Sequence, residues 1–164
     1  MSHKFIIYTD GSSRGNPGPG GWGTIVVSSE QSVVRVKEMG GREAETTNNR
    51  MEMRAAIEAL KNIPTNAEAE IHTDSEYLLK GATVWIKNWQ KNNWRTKDKK
   101  SVLNQDLWQE ILRETENRKI SWTKVLGHSG HKLNDRCDEI ATSFADGKKI
   151  TLYNGLKQSY NLFH

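Results

Sequence analysis

A chain of 164 residues amounts to one domain and is long enough to bury a real core. Its 35% hydrophobic and 27% charged residues fit a soluble globular protein, and no run approaches the 18 or so apolar residues of a membrane span. The net charge of +4 is unevenly placed. Residues 80–100 hold seven Lys/Arg against Asp98 alone, a net of +6 that leaves the remainder at −2. A cationic patch on a slightly acidic body suggests a polyanionic partner. A single cysteine, Cys137, excludes an internal disulfide, and the N-terminus lacks a charged-then-apolar signal pattern. The expectation is a cytoplasmic monomer.

Phe5–Thr9 is a short apolar run, rich in β-branched and aromatic residues, that reads as a buried strand ending on Asp10-Gly11. Open α/β sheets place chemistry at the carboxyl ends of such strands; taken alone, Asp-Gly is equally a turn signal. Arg14–Gly21 is a Gly/Pro turn cluster. Trp22–Ser28 and Val33–Met39 read as two further strands of an antiparallel meander, because the connections are short.

The apolar period then changes. Asn49–Lys61 reads as a helix stopped by Pro64, and Glu68–Thr73 as the next strand. Asp74-Ser75 caps a short helix ending near Gly81. Thr83–Asn92 and Asn104–Asn117 read as helices, and Lys119–Val125 as a strand. Asn134–Ala145 reads as a helix with Cys137, Ile140, Ala141 and Phe144 on its buried stripe. The result is an α/β fold in a single domain over residues 1–164. A five-stranded mixed sheet, a meander plus parallel strands, is flanked by helices. Residues 150–164 are too apolar for a disordered tail and are expected to dock on the body.

Four carboxylates stand out. Asp10 and Asp74 lie at strand ends. Glu52 and Asp138 lie one turn before small helix residues, Ala55-Ala56 and Ala141-Thr142, where they border packed faces. Each has a bland alternative: Asn49-x-x-Glu52 is a capping-box pattern, Asp74 is a plausible N-cap, and Asp138 could be a solvated acid. Together they form a constellation with little structural purpose, since crowded carboxylates repel unless a cation neutralises them. Hard oxygen ligands without a matching Cys/His set suit Mg²⁺, with Mn²⁺ as an alternative. Two such ions about 4 Å apart clamp the attacking and leaving oxygens of a phosphodiester. The residues themselves point to metal-dependent phosphoryl chemistry.

Five stretches carry a resemblance. They are Tyr8–Ser12, Gly15–Gly21, Thr46–Glu52, Thr73–Ser75 and Gly127-His128-x-Gly130-His131 followed by Asn134–Asp138. In this order, over roughly residues 4–146, the chain resembles bacterial type 1 ribonuclease H. The resemblance implies the ribonuclease H-like fold and two-metal hydrolysis of the RNA strand of an RNA–DNA hybrid. It implies that Asp10, Glu52, Asp74 and Asp138 hold two Mg²⁺ ions and that the products are 5′-phosphate and 3′-hydroxyl ends. It gives His128 a part in protonating the leaving oxygen or in product departure.

A zinc site of His128, His131 and Cys137 lacks a fourth ligand and the usual spacing. His131 reads as structural, and His3, His72 and His164 as surface residues. Distinguishing RNA from DNA needs groups that can both donate to and accept from the 2′-hydroxyl, as side-chain amides do. Asn16, Asn48 and Asn49 lie in loops beside the acids, although turn and cap chemistry also accounts for them. By resemblance, Asn48 contacts the RNA strand, while Thr47, Asn16 and Asn104 seat a phosphate of the DNA strand. Two positions depart from the family pattern. Glu45 stands where a basic residue is expected, with Arg42 the candidate to compensate, and Glu76 stands where relatives carry a neutral side chain.

Trp85, Trp89 and Trp94 interleave with Lys87, Lys91 and Arg95, leading into Lys97, Lys99 and Lys100. The segment resembles the basic protrusion, the handle, with which some members grip the hybrid. The cations suit phosphate contacts, and packing is the preferred reading of the tryptophans, although Trp85 and Trp94 also count among the candidate substrate-binding residues. Two alternatives remain open: another nuclease or strand-transfer enzyme on the same scaffold, and a hybrid-binding module without catalysis.

Overall fold

The computed structural model describes residues 4–125 and 131–163. Strands β1 (Lys4–Ser13), β2 (Gly18–Glu30) and β3 (Val33–Thr46) form the antiparallel meander, and helix α1 (Asn48–Lys61) follows. After β4 (Glu68–Thr73) come α2 (Glu76–Lys80), one wide π-type turn (Gly81–Trp85) and α3 (Ile86–Lys91). The chain continues through α4 (Gln105–Thr115), β5 (Lys119–Lys124), α5 (Lys132–Ala145) and β6 (Asn154–Leu156). The strands make one mixed sheet in the order β5-β4-β1-β2-β3-β6, with β4 parallel to both β1 and β5.

The sheet therefore has six strands among the described residues, not the expected five. The additional strand, β6, comes from the apolar C-terminal extension and pairs antiparallel with the β3 edge, Arg35 opposite Leu156 and Lys37 opposite Asn154. Docking an extension there also covers an otherwise open edge.

Strand alternation puts the two helical layers on opposite faces. Phe5 and Ile7 of β1 pack with Ala59 and Leu60 of α1. Tyr8, with Ile25 and Val36 of the meander, packs with Leu133 and Cys137 of α5. A third cluster joins α1 to α4 through Met53, Ile57, Leu107, Trp108 and Ile111. The close approach of both layers needs missing side chains. A Cβ on Gly11 would stand 2.3 Å from the Glu52 nitrogen, and one on Gly23 would stand 2.5 Å from the Cys137 oxygen. Gly11 thus lets the start of α1 descend onto the end of β1.

Candidate active site

β1 and β4 run parallel, so Asp10 and Asp74 emerge at the same rim of the sheet. α1 starts over that rim. Its N-cap is Thr47, whose hydroxyl accepts from the Arg50 N–H at 3.2 Å. The Asn49/Glu52 capping box does not form. With the helix already capped, Glu52 turns to the sheet, and its Oε1 accepts from the Gly11 N–H, which also donates to Asp10 Oδ1 at 2.9 Å. Nor is Asp74 a cap, because the Ser75 hydroxyl caps α2 by accepting from the Leu78 N–H at 3.1 Å. Both acids are free for other work.

The ligand atoms of Asp10, Glu52 and Asp74 lie within 4.8 Å of one another, the first two buried and the third half-buried. Burial pushes the Asp10 carboxyl up to about 7, with the charges of Asp74 and Asp138 adding to the effect and the bond to Glu52 opposing it. Burial, the bond to Asp10 and its charge also drive Glu52 well above the ordinary carboxylate range. Asp138 lies outside that close set. It is exposed on α5, near enough for its charge to act on Asp10. Three of the four expected acids converge.

Two clefts adjoin the acids. One, of about 370 Å³, is lined by the three carboxylates with Asn48, Asn49, Glu76 and Tyr77. The other, of about 540 Å³, has Asn16, Thr47, Asn48, Asn49 and Asn104 in its wall. Asn48 Oδ1 accepts from the Ser13 N–H at 2.6 Å, which ties the helix start to the β1–β2 hairpin. Asn104 sits in the left-handed region with φ 59°; its Oδ1 accepts from Arg50 at 3.2 Å and its Nδ2 donates to the Tyr77 hydroxyl at 3.0 Å. Arg50 reaches across to clamp Asp106 through both terminal nitrogens, at 3.0 and 2.7 Å. Sequence reasoning missed this use of Arg50, because a lone arginine on a helix carries no pattern. Arg42 is not in that cleft. It lines a separate groove with Phe144, Lys148 and Lys149.

The basic segment folds back on itself through the Arg95–Ser101 bridge. Lys87, Lys91, Arg95, Lys97, Lys99 and Lys100 are all exposed, whereas Trp85, Trp89 and Trp94 are half-buried. Trp89 and Trp94 pack on the α1–α4 cluster, and Trp85 lies against Tyr77 with ring centroids 5.6 Å apart. His72 is not the surface residue expected. It stacks on Tyr8 at 4.8 Å and pairs with Glu70 at 3.0 Å, while His131 tilts against the same Tyr8 ring at 5.0 Å. His128, His3 and His164 fall outside the described residues.

The sequence profile of the RNase H family matches residues 2–146. The chain belongs to the ribonuclease H family. It is 47% identical over 141 residues to a ribonuclease H of Caulobacter sp. (strain K31), covering 86% of this chain and 89% of that one. It is 50% identical over 148 residues to a ribonuclease H of Cyanothece sp. (strain PCC 7425), covering 89% and 92%. Relatives of that identity and coverage make the chain a nuclease enzyme. Among solved structures, LC9-RNase H1, a type 1 RNase H with the type 2 active-site motif, superposes with a TM-score of 0.81 at 29% identity over 94% of this chain and 78% of that one. LC11-RNase H1, solved in complex with an RNA/DNA hybrid, gives 0.59 at 25% identity over 87% and 97%.

Proposed function

We propose that this chain hydrolyses the RNA strand of RNA–DNA hybrids with two Mg²⁺ ions, or Mn²⁺ in their place, and leaves 5′-phosphate and 3′-hydroxyl ends. The convergence of Asp10, Glu52 and Asp74 just beyond the last parallel pair of β1 and β4, Tyr8 opposite His72, carries the reading. Their donor set fits such ions: oxygen only, hard, and so crowded that burial already drives Asp10 and Glu52 to retain protons. Asp10, Glu52, Asp74 and, from α5, Asp138 would hold the cations. When bound, these supply Lewis-acid stabilisation of the phosphoryl charge and a nucleophile at neutral pH.

The chain's own groups do the rest. The acids give up their shared protons on loading, so cation affinity falls as pH drops below about 7. Asn48 and Asn49 face both clefts and can read a 2′-hydroxyl as donor or acceptor. Asn16, Thr47 and Asn104 offer donors to a phosphate of the uncleaved strand, with Asn104 pre-oriented by Arg50 and Tyr77. The single buried thiol of Cys137 suits a reducing cytoplasm, where we place the protein as a monomer. The deciding experiment is incubation of end-labelled RNA–DNA hybrid with and without Mg²⁺, alongside duplex DNA and duplex RNA. Mg²⁺-dependent loss of the hybrid's RNA strand alone supports the reading, whereas cleavage of duplex DNA at the same rate rejects it.

His128→Ala should slow turnover about 100-fold, the low end for a general acid, without abolishing it, because water substitutes for a proton shuttle, and KM should barely move. A loss as deep as that of Asp10→Asn, or loss of a bound zinc ion, would refute the assigned role.

The basic segment is proposed as the handle that grips the hybrid. Its six exposed cations would bind ground and transition states alike, so neutralising Lys91, Arg95, Lys97 and Lys99 should raise KM and leave kcat nearly unchanged. Removing one phosphate-binding cation flattens the plot of log affinity against log salt by about 0.9, so removing four should flatten it by about 3.6. Steady-state kinetics over a salt series reads both effects. A salt slope equal to that of the wild type would make the run a solvated face.

A further inference from the structure

Lys124 ends β5, and its ladder partner on β4 is Thr73, the residue before Asp74. The pairing continues one step further, with the Val125 N–H on the Thr73 oxygen at 2.8 Å, so register fixes where Lys124 stands. Adjacent strands lie about 4.8 Å apart. An ammonium group is therefore rooted one strand away from an acid of the candidate active site, on the same rim. In the first turn of α2, Glu76 lines the acidic cleft with Asp10, Glu52 and Asp74. Lys124 Nζ bonds Glu76 Oε1, and Lys80 Nζ stands 3.5 Å from Glu76 Oε2.

The three side chains are 39% (Lys124), 57% (Glu76) and 59% (Lys80) exposed. Ion pairs that open to water contribute about 0–1 kcal/mol, so stability is a poor account of the cluster. Its larger effect is on the field at the mouth of the cleft. A further carboxylate beside Asp10, Glu52 and Asp74 would repel a polyanion, and the two lysines more than offset the charge of Glu76 itself.

We propose that Lys124 is a substrate-binding residue whose ammonium rests on Glu76 in the free protein and moves to a phosphate of the RNA strand beside the scissile bond when the hybrid docks. The proposal rests on the hybrid-cleaving reading above. It makes Glu76 a competitor of the substrate for one ammonium, so the two partners have opposite effects. Loss of Lys124 weakens binding and loss of the Glu76 charge strengthens it, whereas in a merely structural pair both changes would act in the same direction.

The test compares Lys124→Met, Lys124→Arg and Glu76→Gln with the wild type over a salt series. It measures KM and kcat with Mg²⁺, and Kd by fluorescence anisotropy of labelled hybrid in EDTA, so the answer does not depend on cleavage. Lys124→Met should raise Kd and KM about three- to tenfold and flatten the salt slope by about 0.9, the value for a single phosphate. Its kcat should stay within about twofold, because a uniformly binding group leaves the chemical step alone. Lys124→Arg should restore the affinity, Glu76→Gln should lower Kd, and melting temperatures should stay within about 2 °C of the wild type. An unchanged Kd and salt slope in Lys124→Met would overturn the proposal, as would a rise in Kd for both Lys124→Met and Glu76→Gln. Failure of the wild type to cleave a hybrid that it binds would instead overturn the catalytic reading.

Discussion

Asp10→Asn should abolish hybrid cleavage, by at least about a thousandfold, while making the metal-free protein more stable. The amide keeps the shape of the carboxyl but loses the charge that a divalent cation needs, and losses of several kcal/mol in transition-state stabilisation correspond to such factors. The gain in stability follows from the apo site. Burial, reinforced by Asp74 and Asp138, holds Asp10 up to about 7, and Glu52 is raised with it. A raised carboxyl means that the folded state keeps a proton that the unfolded chain has released. Stability in EDTA therefore falls as pH climbs from the ordinary carboxylate range through about 7, the value for Asp10. At pH 8, Asp10→Asn should recover on the order of 1–3 kcal/mol of that loss, and its melting temperature should depend less on pH. Melts from pH 4 to 8 in EDTA, with cleavage assays on the same samples, read both effects. Full activity in the variant would remove Asp10 from the chemistry.

What the sequence made legible depended on how local the cause was. The Glu68–Thr73 strand emerges with the expected bounds because its alternating burial is encoded within the segment itself. α1 begins one residue earlier than expected, since the cap falls to Thr47. β6 escaped notice because three residues, Asn154-Gly155-Leu156, have no strand signal of their own and become a strand only against the β3 edge. Gly81 looked like the end of a short helix, yet the helical path runs on through it. A Cβ there would come within 1.9 Å of the Trp108 ring, so the glycine answers to packing across the core rather than to termination.

The candidate site divides in the same way. Strand ends and helix periodicity sufficed to nominate Asp10, Glu52 and Asp74, and the fold brings them together. Asp138 was nominated on equal grounds but lies outside the close set, and no periodicity carries that distance. Lys124 and Arg50 were invisible because each acts through a partner far away in sequence, Glu76 and the Asn104–Asp106 turn respectively. Such partners become apparent only once strand register and helix packing are known.

The largest expected effect on stability lies far from the acids, where the C-terminal extension meets the body. The Glu38 side chain is 1% exposed, and its two oxygens accept four bonds. Arg136 on α5 donates from Nε at 2.8 Å and Nη2 at 2.9 Å, the Tyr153 N–H donates at 2.9 Å and the Tyr160 hydroxyl at 2.5 Å. Burial alone would raise the Glu38 carboxyl, but Arg136, Tyr160 and the Tyr153 N–H together hold it below the usual range. One carboxylate thus joins β3, α5 and the extension. Glu38→Ala should cost about 2–4 kcal/mol, because Arg136 would keep only the exposed Glu139 as counter-ion, and Tyr160 and the Tyr153 N–H would lose their acceptor. Replacing the group together, with Glu38→Leu, Arg136→Met and Tyr160→Phe, should cost less than Glu38→Ala alone, since only the half-buried Tyr153 N–H then lacks its acceptor. The pH dependence has the opposite sign to that of the Asp10 pair. A depressed carboxyl lends stability above its unfolded value, and that stability is lost as pH falls through the folded value. Wild-type melts in EDTA should therefore lose stability at the acid end through Glu38 and at the neutral end through Asp10 and Glu52. Hydrogen exchange completes the test. In Glu38→Ala the amides of Asn154–Tyr160 should lose protection first, while those of β1 stay protected, as expected if the extension is a separately opening unit. Unchanged protection over Asn154–Tyr160 would show that the β3 pairing, not Glu38, holds the extension in place.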